Sequence, residues 1–309
     1  MHLSSRVLHF WACRCTRKSE SGISDDEPTN DFEFSTDLRG WDPSWKPDQD
    51  ARTLWYRTVE EYTRLHISYP SDTLPALAAL TQRMHKLRPD DMFLAGLWNN
   101  TLLFDLLWKA PSRPKFRRLA KWRAPTWSWA SVEVPVNWDL RLDSVLETVK
   151  LLQVCCDTKG PPEMGNISME ATITLRAPLV KATWARQWTR SRWLQITGEV
   201  NAIDADRYCP DYDYDLTGPY NIPWESEFHL VPIAIISFPL SYDNDAKNHR
   251  RISLALQAKV GTPFYERIGY VEIAEKRPQV NQSPQEAQAS FESVNAVLRS
   301  LPRVDITTI

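Results

Sequence analysis

The best metal candidate in the chain is Asp211-x-Asp213-x-Asp215, the spacing that opens a calcium loop. Such a loop next needs Gly at its sixth position and a bidentate Glu at its twelfth, and those positions hold Leu216 and Ile222. The run therefore reads as a solvated acidic loop. His9, Cys13 and Cys15 offer three zinc donors, but no further Cys or His follows at finger spacing. No cofactor or metal is expected. Ser128 and Ser131 have no nearby His to activate them, and the chain contains no G-x-S-x-G, H-E-x-x-H or Walker loop. Both read as structural hydroxyls, and no catalytic residue is expected. His66 lies on the apolar side of a helical pattern and reads as a partly buried core histidine. The run Lys115-Phe116-Arg117-Arg118, with Lys121 and Arg123, could grip phosphate. Yet 37 Lys+Arg against 39 Asp+Glu leave a net charge of −2, so no nucleic-acid partner is expected.

Tryptophan is the strongest remaining signal. The chain has 14 Trp but only 9 Gly in 309 residues, where ordinary glycine usage is about 7%. In Ala124-Pro125-Thr126-Trp127-Ser128-Trp129-Ala130-Ser131, the two indoles share one face if the segment is extended. They read as a packing anchor where strands meet helices, or as a stacking platform for a sugar or base. Packing is the stronger reading, because the polar groups a ligand site needs are not clustered beside them.

These residues must be positioned by two unlike halves. Residues 19–49 are polar and acidic and read as a linker or surface loop, with Trp41 and Trp45 docking on the body. From residue 50 the pattern turns helical, with Trp55, Val59, Tyr62 and His66 on one face. Ser71 or Asp72 can cap a second helix, with Pro75 in its first turn and Leu77, Leu80, Met84 and Leu87 on its buried face. Asp90 can cap a third that runs from Phe93 through Trp108, apolar all round. Residues 111–123 form a basic, proline-broken connector. Residues 124–278 read mainly as strands: Ser168–Leu175 (with Met169, Ala171, Ile173 and Leu175 on one face), Leu179–Trp184, Trp193–Val200, His229–Pro239, Arg251–Lys259 and Tyr265–Ala274. A last helix is expected over Ser283–Leu301, within a closing region 279–309.

A hydrophobic content of 42% fills a core and excludes wholesale disorder. Five cysteines, mostly in adjacent or near-adjacent pairs, form no disulfide framework. No stretch has the length of a signal peptide's apolar core or a membrane span, so a cytoplasmic chain is expected.

Several ordered motifs resemble the region that follows the HET domain in fungal heterokaryon incompatibility proteins. Asp72-x-Leu74-x-Ala76, Phe93-Leu94-Ala95-Gly96-Leu97-Trp98, Leu106-Leu107-Trp108 and Ala124–Ser131 are similar to that family's "DKL.A..G", "YLAGLW", "LLW" and "APSWSWAS". Thr73, Phe93 and Thr126 stand where the family has Lys, Tyr and Ser. Leu3–Phe10 resembles the "LSPRVLHF" that closes the HET domain, so residues 1–18 read as its remnant. Ile173–Leu179 and Tyr265-Glu266-Arg267-Ile268-Gly269-Tyr270 also match the family's β region.

The resemblance implies a truncated form without the TIR-like signalling module, so no family active-site residue carries over. What it marks are packing positions: Phe93, Gly96, Leu97, Trp98, Trp108, Ala124, Pro125, Trp127, Trp129, Ser131, Arg267 and Gly269. The fold expected is α+β: a helical region over 50–110, then a mostly antiparallel sheet, sandwich or barrel-like, with a C-terminal helix. The function implied is a non-enzymatic accessory or scaffold region in self/non-self recognition and programmed cell death, with a protein partner on the Trp-rich surface. The alternative is a ligand-binding or hydrolytic module built on the Trp-rich motif and the acidic 204–215 loop.

Overall fold

A computed structural model describes residues 51–65, 67, 69–111, 119, 121–142, 144–163, 167–183, 208–212, 227–236, 249–273 and 299–309, and the backbone alone of 2–4, 9–12, 17–19, 47–50, 143, 164, 184–186, 192–196, 207, 237–240, 243–248 and 274. The chain begins with a three-stranded antiparallel meander, β1 (His2–Ser4), β2 (His9–Ala12) and β3 (Arg17–Ser19). Helix α1 (Pro47–Thr63) follows and buries Ala51, Trp55, Val59 and Tyr62. Their spacing of four, four and three is one stripe of a 3.6-residue helix. Pro70–Asp72 and Pro75–Leu77 form 3₁₀ turns ahead of α2 (Ala78–His85), each with a proline in its first turn and no side-chain cap.

The expected third helix is not continuous. Phe93–Leu94 (β4) and Leu97–Trp98 (β5) pair as a hairpin, and only Leu102–Asp105 (α3) is α-helical after it. Ala95 (φ 52°) and Gly96 (φ 98°) both lie in the left-handed region, as a two-residue hairpin turn of type I′ requires. An all-round apolar run is read equally well as buried helix or buried strand, and the turn decides between them.

The remaining strands are β6 (Leu142–Val145), β7 (Lys150–Cys155), β8 (Thr172–Pro178), β9 (Val180–Arg186), β10 (Arg192–Ile196), β11 (Arg207–Pro210), β12 (Glu227–Leu240), β13 (Asp243–Ala258), β14 (Tyr265–Ala274) and β15 (Arg303–Thr308). Among the described residues these ten form one sheet, ordered β10-β9-β12-β13-β14-β15-β8-β7, with β11 on β14 and β6 on β12. Every pairing is antiparallel except the Tyr265–Thr308 contact between β14 and β15. The architecture is α+β, with a large, mostly antiparallel sheet. In a flat sheet β12 and β8 would stand about 19 Å apart, four strand spacings of about 4.8 Å. They are in contact, so the sheet curls over its own core. Pro232 and Pro239 sit in β12 beside its register shifts, the irregular positions where a strand tolerates proline.

One core spans both halves, from Ala51 and Trp55 through Trp98 and Trp129 to Ile173 and Leu175 of β8 and on to Ile306. Ala171 is buried with them, whereas Met169, expected on the same face, is 69% exposed because β8 begins only at Thr172. A second cluster on the other face of the sheet joins Phe228, Leu230, Ala255, Ile268 and Val271. The central strands β12 to β14 are thus covered on both sides, which is why they carry long apolar runs.

The helix expected over Ser283–Leu301 lies mostly outside the described residues. Within them, Arg299 and Ser300 are helical and the tail is not: Arg303–Thr308 is a strand, inserted between β14 and β8. Trp41, Trp45, His66 and the Lys115–Arg118 run also lie outside the described residues.

Candidate functional site

Residues of three of the resembling motifs, around Gly96, Trp108 and Trp129, meet at one buried node. The Gly96 carbonyl accepts two indole N–H groups, from Trp55 and from Trp129, each at 2.9 Å. Ser128 donates its hydroxyl to the Ala95 carbonyl and accepts the Ala130 N–H at 3.0 Å. That second bond caps a 3₁₀ turn over Trp129–Ser131, so the motif is not the extended segment that would align its two indoles. Pro125 begins the preceding turn by accepting the Ser128 N–H at 2.9 Å. Trp108 donates to the Trp127 carbonyl at 2.9 Å. Trp98, Trp108 and Trp127 are fully buried and Trp129 is 1% exposed, with Phe93, Leu97 and Ala124 buried around them.

Arg267 ties this node to the sheet. Its side chain is fully buried, and Nε and Nη2 donate to Asp211 at 3.0 and 3.3 Å. Its remaining N–H groups reach the carbonyls of Leu106 and Trp108. The planar fork of a guanidinium can meet a carboxylate and two carbonyls at once. Asp211, expected in a solvated loop, is instead 2% exposed; the acidic run hid one member whose cation lies 56 residues away. Asp213 and Asp215 lie outside the described residues, as do Cys13, Cys15 and the side chain of His9. Gly269 lets β11 approach closely, since a Cβ there would stand 2.8 Å from the Cys209 carbonyl oxygen.

Two further buried polar clusters carry no signal in the sequence. Asp105 is fully buried and accepts the Tyr56 hydroxyl at 2.7 Å and the Trp98 N–H at 2.8 Å. Burial pushes its carboxyl up to about 6, against these hydrogen bonds. Lys109 lies 3.4 Å from Glu272 and 3.9 Å from Asp139, and its ammonium is 5.3 Å from the Tyr270 ring centroid. Arg250 also pairs with Glu272, at 2.9 Å, and Arg141 holds Asp139 bidentately. Burial raises Asp139, but the Arg141 hydrogen bonds outweigh it and leave the carboxyl below its ordinary range. Burial, then Glu272, raises the Tyr270 phenol. Among the described residues, no three His, Cys, Asp or Glu side chains converge as a metal shell.

The outer side of the Ala124–Ser131 motif faces a cleft of about 340 Å³, at the small end of ligand-site volumes. Thr126 and Ser131 line it together with Asp211 and Tyr212, so the Trp-rich motif and the acidic loop do share a cavity. Its other walls include Trp122, Met169, Lys121 and Lys259. Among the described residues no helix is long and apolar enough to cross a membrane. Compared with family models, with curated proteins and with solved structures, the chain finds no match.

Proposed function

We propose that this chain is a non-enzymatic accessory region of a heterokaryon incompatibility-type protein, taking part in fungal self/non-self recognition by positioning a signalling module in the cytoplasm. One observation carries the reading. Residues on which the resemblance rests link the halves: the Gly96 carbonyl holds indoles from α1 and from the Trp-rich motif, and Arg267 of β14 reaches the Leu106 and Trp108 carbonyls. A motif spent on holding two layers together fits a scaffold better than a stacking platform, which would leave its indoles open to a ligand. Cys155 and Cys156 are free thiols, which fits a reducing compartment.

The test is inducible expression of this chain in a filamentous fungus, beside an intact HET-containing protein. Normal growth with this chain and arrest with the intact protein is the expected outcome. Arrest or vacuolation from this chain alone overturns the reading.

A further inference from the structure

We infer that the cleft beside Trp122 takes an acidic, apolar peptide segment of a partner protein, a side-chain carboxylate next to an aromatic or branched apolar residue. The inference rests on the scaffold reading and names the surface through which a partner would dock. The four motif indoles are buried and inaccessible to a partner. Trp122, by contrast, is 36% exposed and lines the cleft with Met169, giving it an apolar wall open to solvent.

The charges select the ligand. Asp211 is buried and held by Arg267, and Glu266 lies 3.5 Å from Lys259 with its side chain only 17% exposed. The cations reach solvent: Lys121 is exposed and the Lys259 side chain is 45% exposed. The Arg123 guanidinium, also in the lining, donates to the carbonyls of Ala130 and Val132 and faces Glu133 at 3.5 Å. Among the described residues both arginine forks at the cleft are therefore committed, and Lys259 already faces Glu266. The exposed Lys121 ammonium is the point charge left to a ligand, which suits a single carboxylate rather than bidentate phosphate recognition. The Lys121 ammonium beside the apolar wall of Trp122 and Met169 complements an acidic residue flanked by an apolar one.

The experiment titrates the full chain into a fluorescein-labelled peptide, Gly-Asp-Phe-Asp-Leu-Gly, and follows anisotropy, with Gly-Asn-Phe-Asn-Leu-Gly as the neutral control. Saturable binding of the acidic peptide is expected, about tenfold tighter than the control and weakening as salt shortens the screening length. Lys121→Glu and the milder Lys121→Gln should both weaken it, by about fivefold or more for the charge reversal, with unchanged urea midpoints. Equal binding of the two peptides, or none at about 1 mM, overturns the inference. Because this readout is independent of fungal growth, an empty cleft in a chain that leaves growth normal sinks the docking site alone, and growth arrest sinks the scaffold reading alone.

Discussion

The guanidinium of Arg267 lies 3.4 Å from the centroid of the Trp108 ring, while its N–H groups reach the Leu106 and Trp108 carbonyls and the Asp211 carboxylate. One side chain thus joins the C-terminal end of α3, β14 and the segment after β11. Removing it strands a buried carboxylate and two carbonyls. Arg267→Ala should cost about 3–5 kcal/mol in urea unfolding, the range for breaking a buried pair from one side. The double variant Arg267→Met with Asp211→Asn should lose less than the sum of the single losses. Strict additivity would show that the pair is not coupled.

Gly96 has φ 98°, and a Cβ there would stand 2.6 Å from the Trp129 indole nitrogen. Gly261, at φ 76°, has nothing within 4 Å of the same position. Alanine at either site meets the left-handed penalty of about 1–2 kcal/mol, but only Gly96→Ala must also displace a buried indole. Chemical unfolding should show Gly96→Ala to be the costlier by at least about 1 kcal/mol.

Asp105 titrates near 6 in the folded chain, above the ordinary carboxylate value, because burial disfavours its charge. A raised folded value means the folded state holds the proton more tightly. Its contribution is fully present below about pH 4 and is lost as pH rises through about 6. Asp105→Asn should flatten this dependence. Comparing urea midpoints of the two proteins from about pH 4 to 7 checks it: parallel curves would remove Asp105 as the cause.

Trp98 is fully buried and packs edge-on against Trp55 and Phe93, with centroids at 5.8 and 5.3 Å. Trp98→Ala should cost about 3–5 kcal/mol, as emptying a buried large aromatic site does. Trp122→Ala, at an exposed site, should stay within about 1 kcal/mol by the same measurement.

Calcium should leave the melting temperature unchanged. Both Asp211 oxygens face Arg267, so binding there would first have to break a buried pair. A rise at millimolar calcium, abolished by Asp213→Ala, would falsify that expectation.

Local pattern alone located α1 and the long strands, Tyr265–Ala274 to the residue, because each satisfies its periodicity within its own length, but it ran α2 too long, through the Pro75–Leu77 3₁₀ turn before Ala78. The spacing of Trp127 and Trp129 also reads as a packing anchor, whereas only the family resemblance marks Gly96, Trp98 and Arg267. Tertiary structure decided the rest. Phe93–Trp108 became a hairpin and a short helix because the Gly96 carbonyl has two indole donors waiting, one from α1 and one 33 residues downstream. Asp211 left the solvent because its cation lies on β14, and Arg303–Thr308 became a strand because the sheet had a gap between β14 and β8. A partner distant in sequence leaves no local period, and hydrogen-bond satisfaction of buried groups is decided only once the chain has brought such partners together.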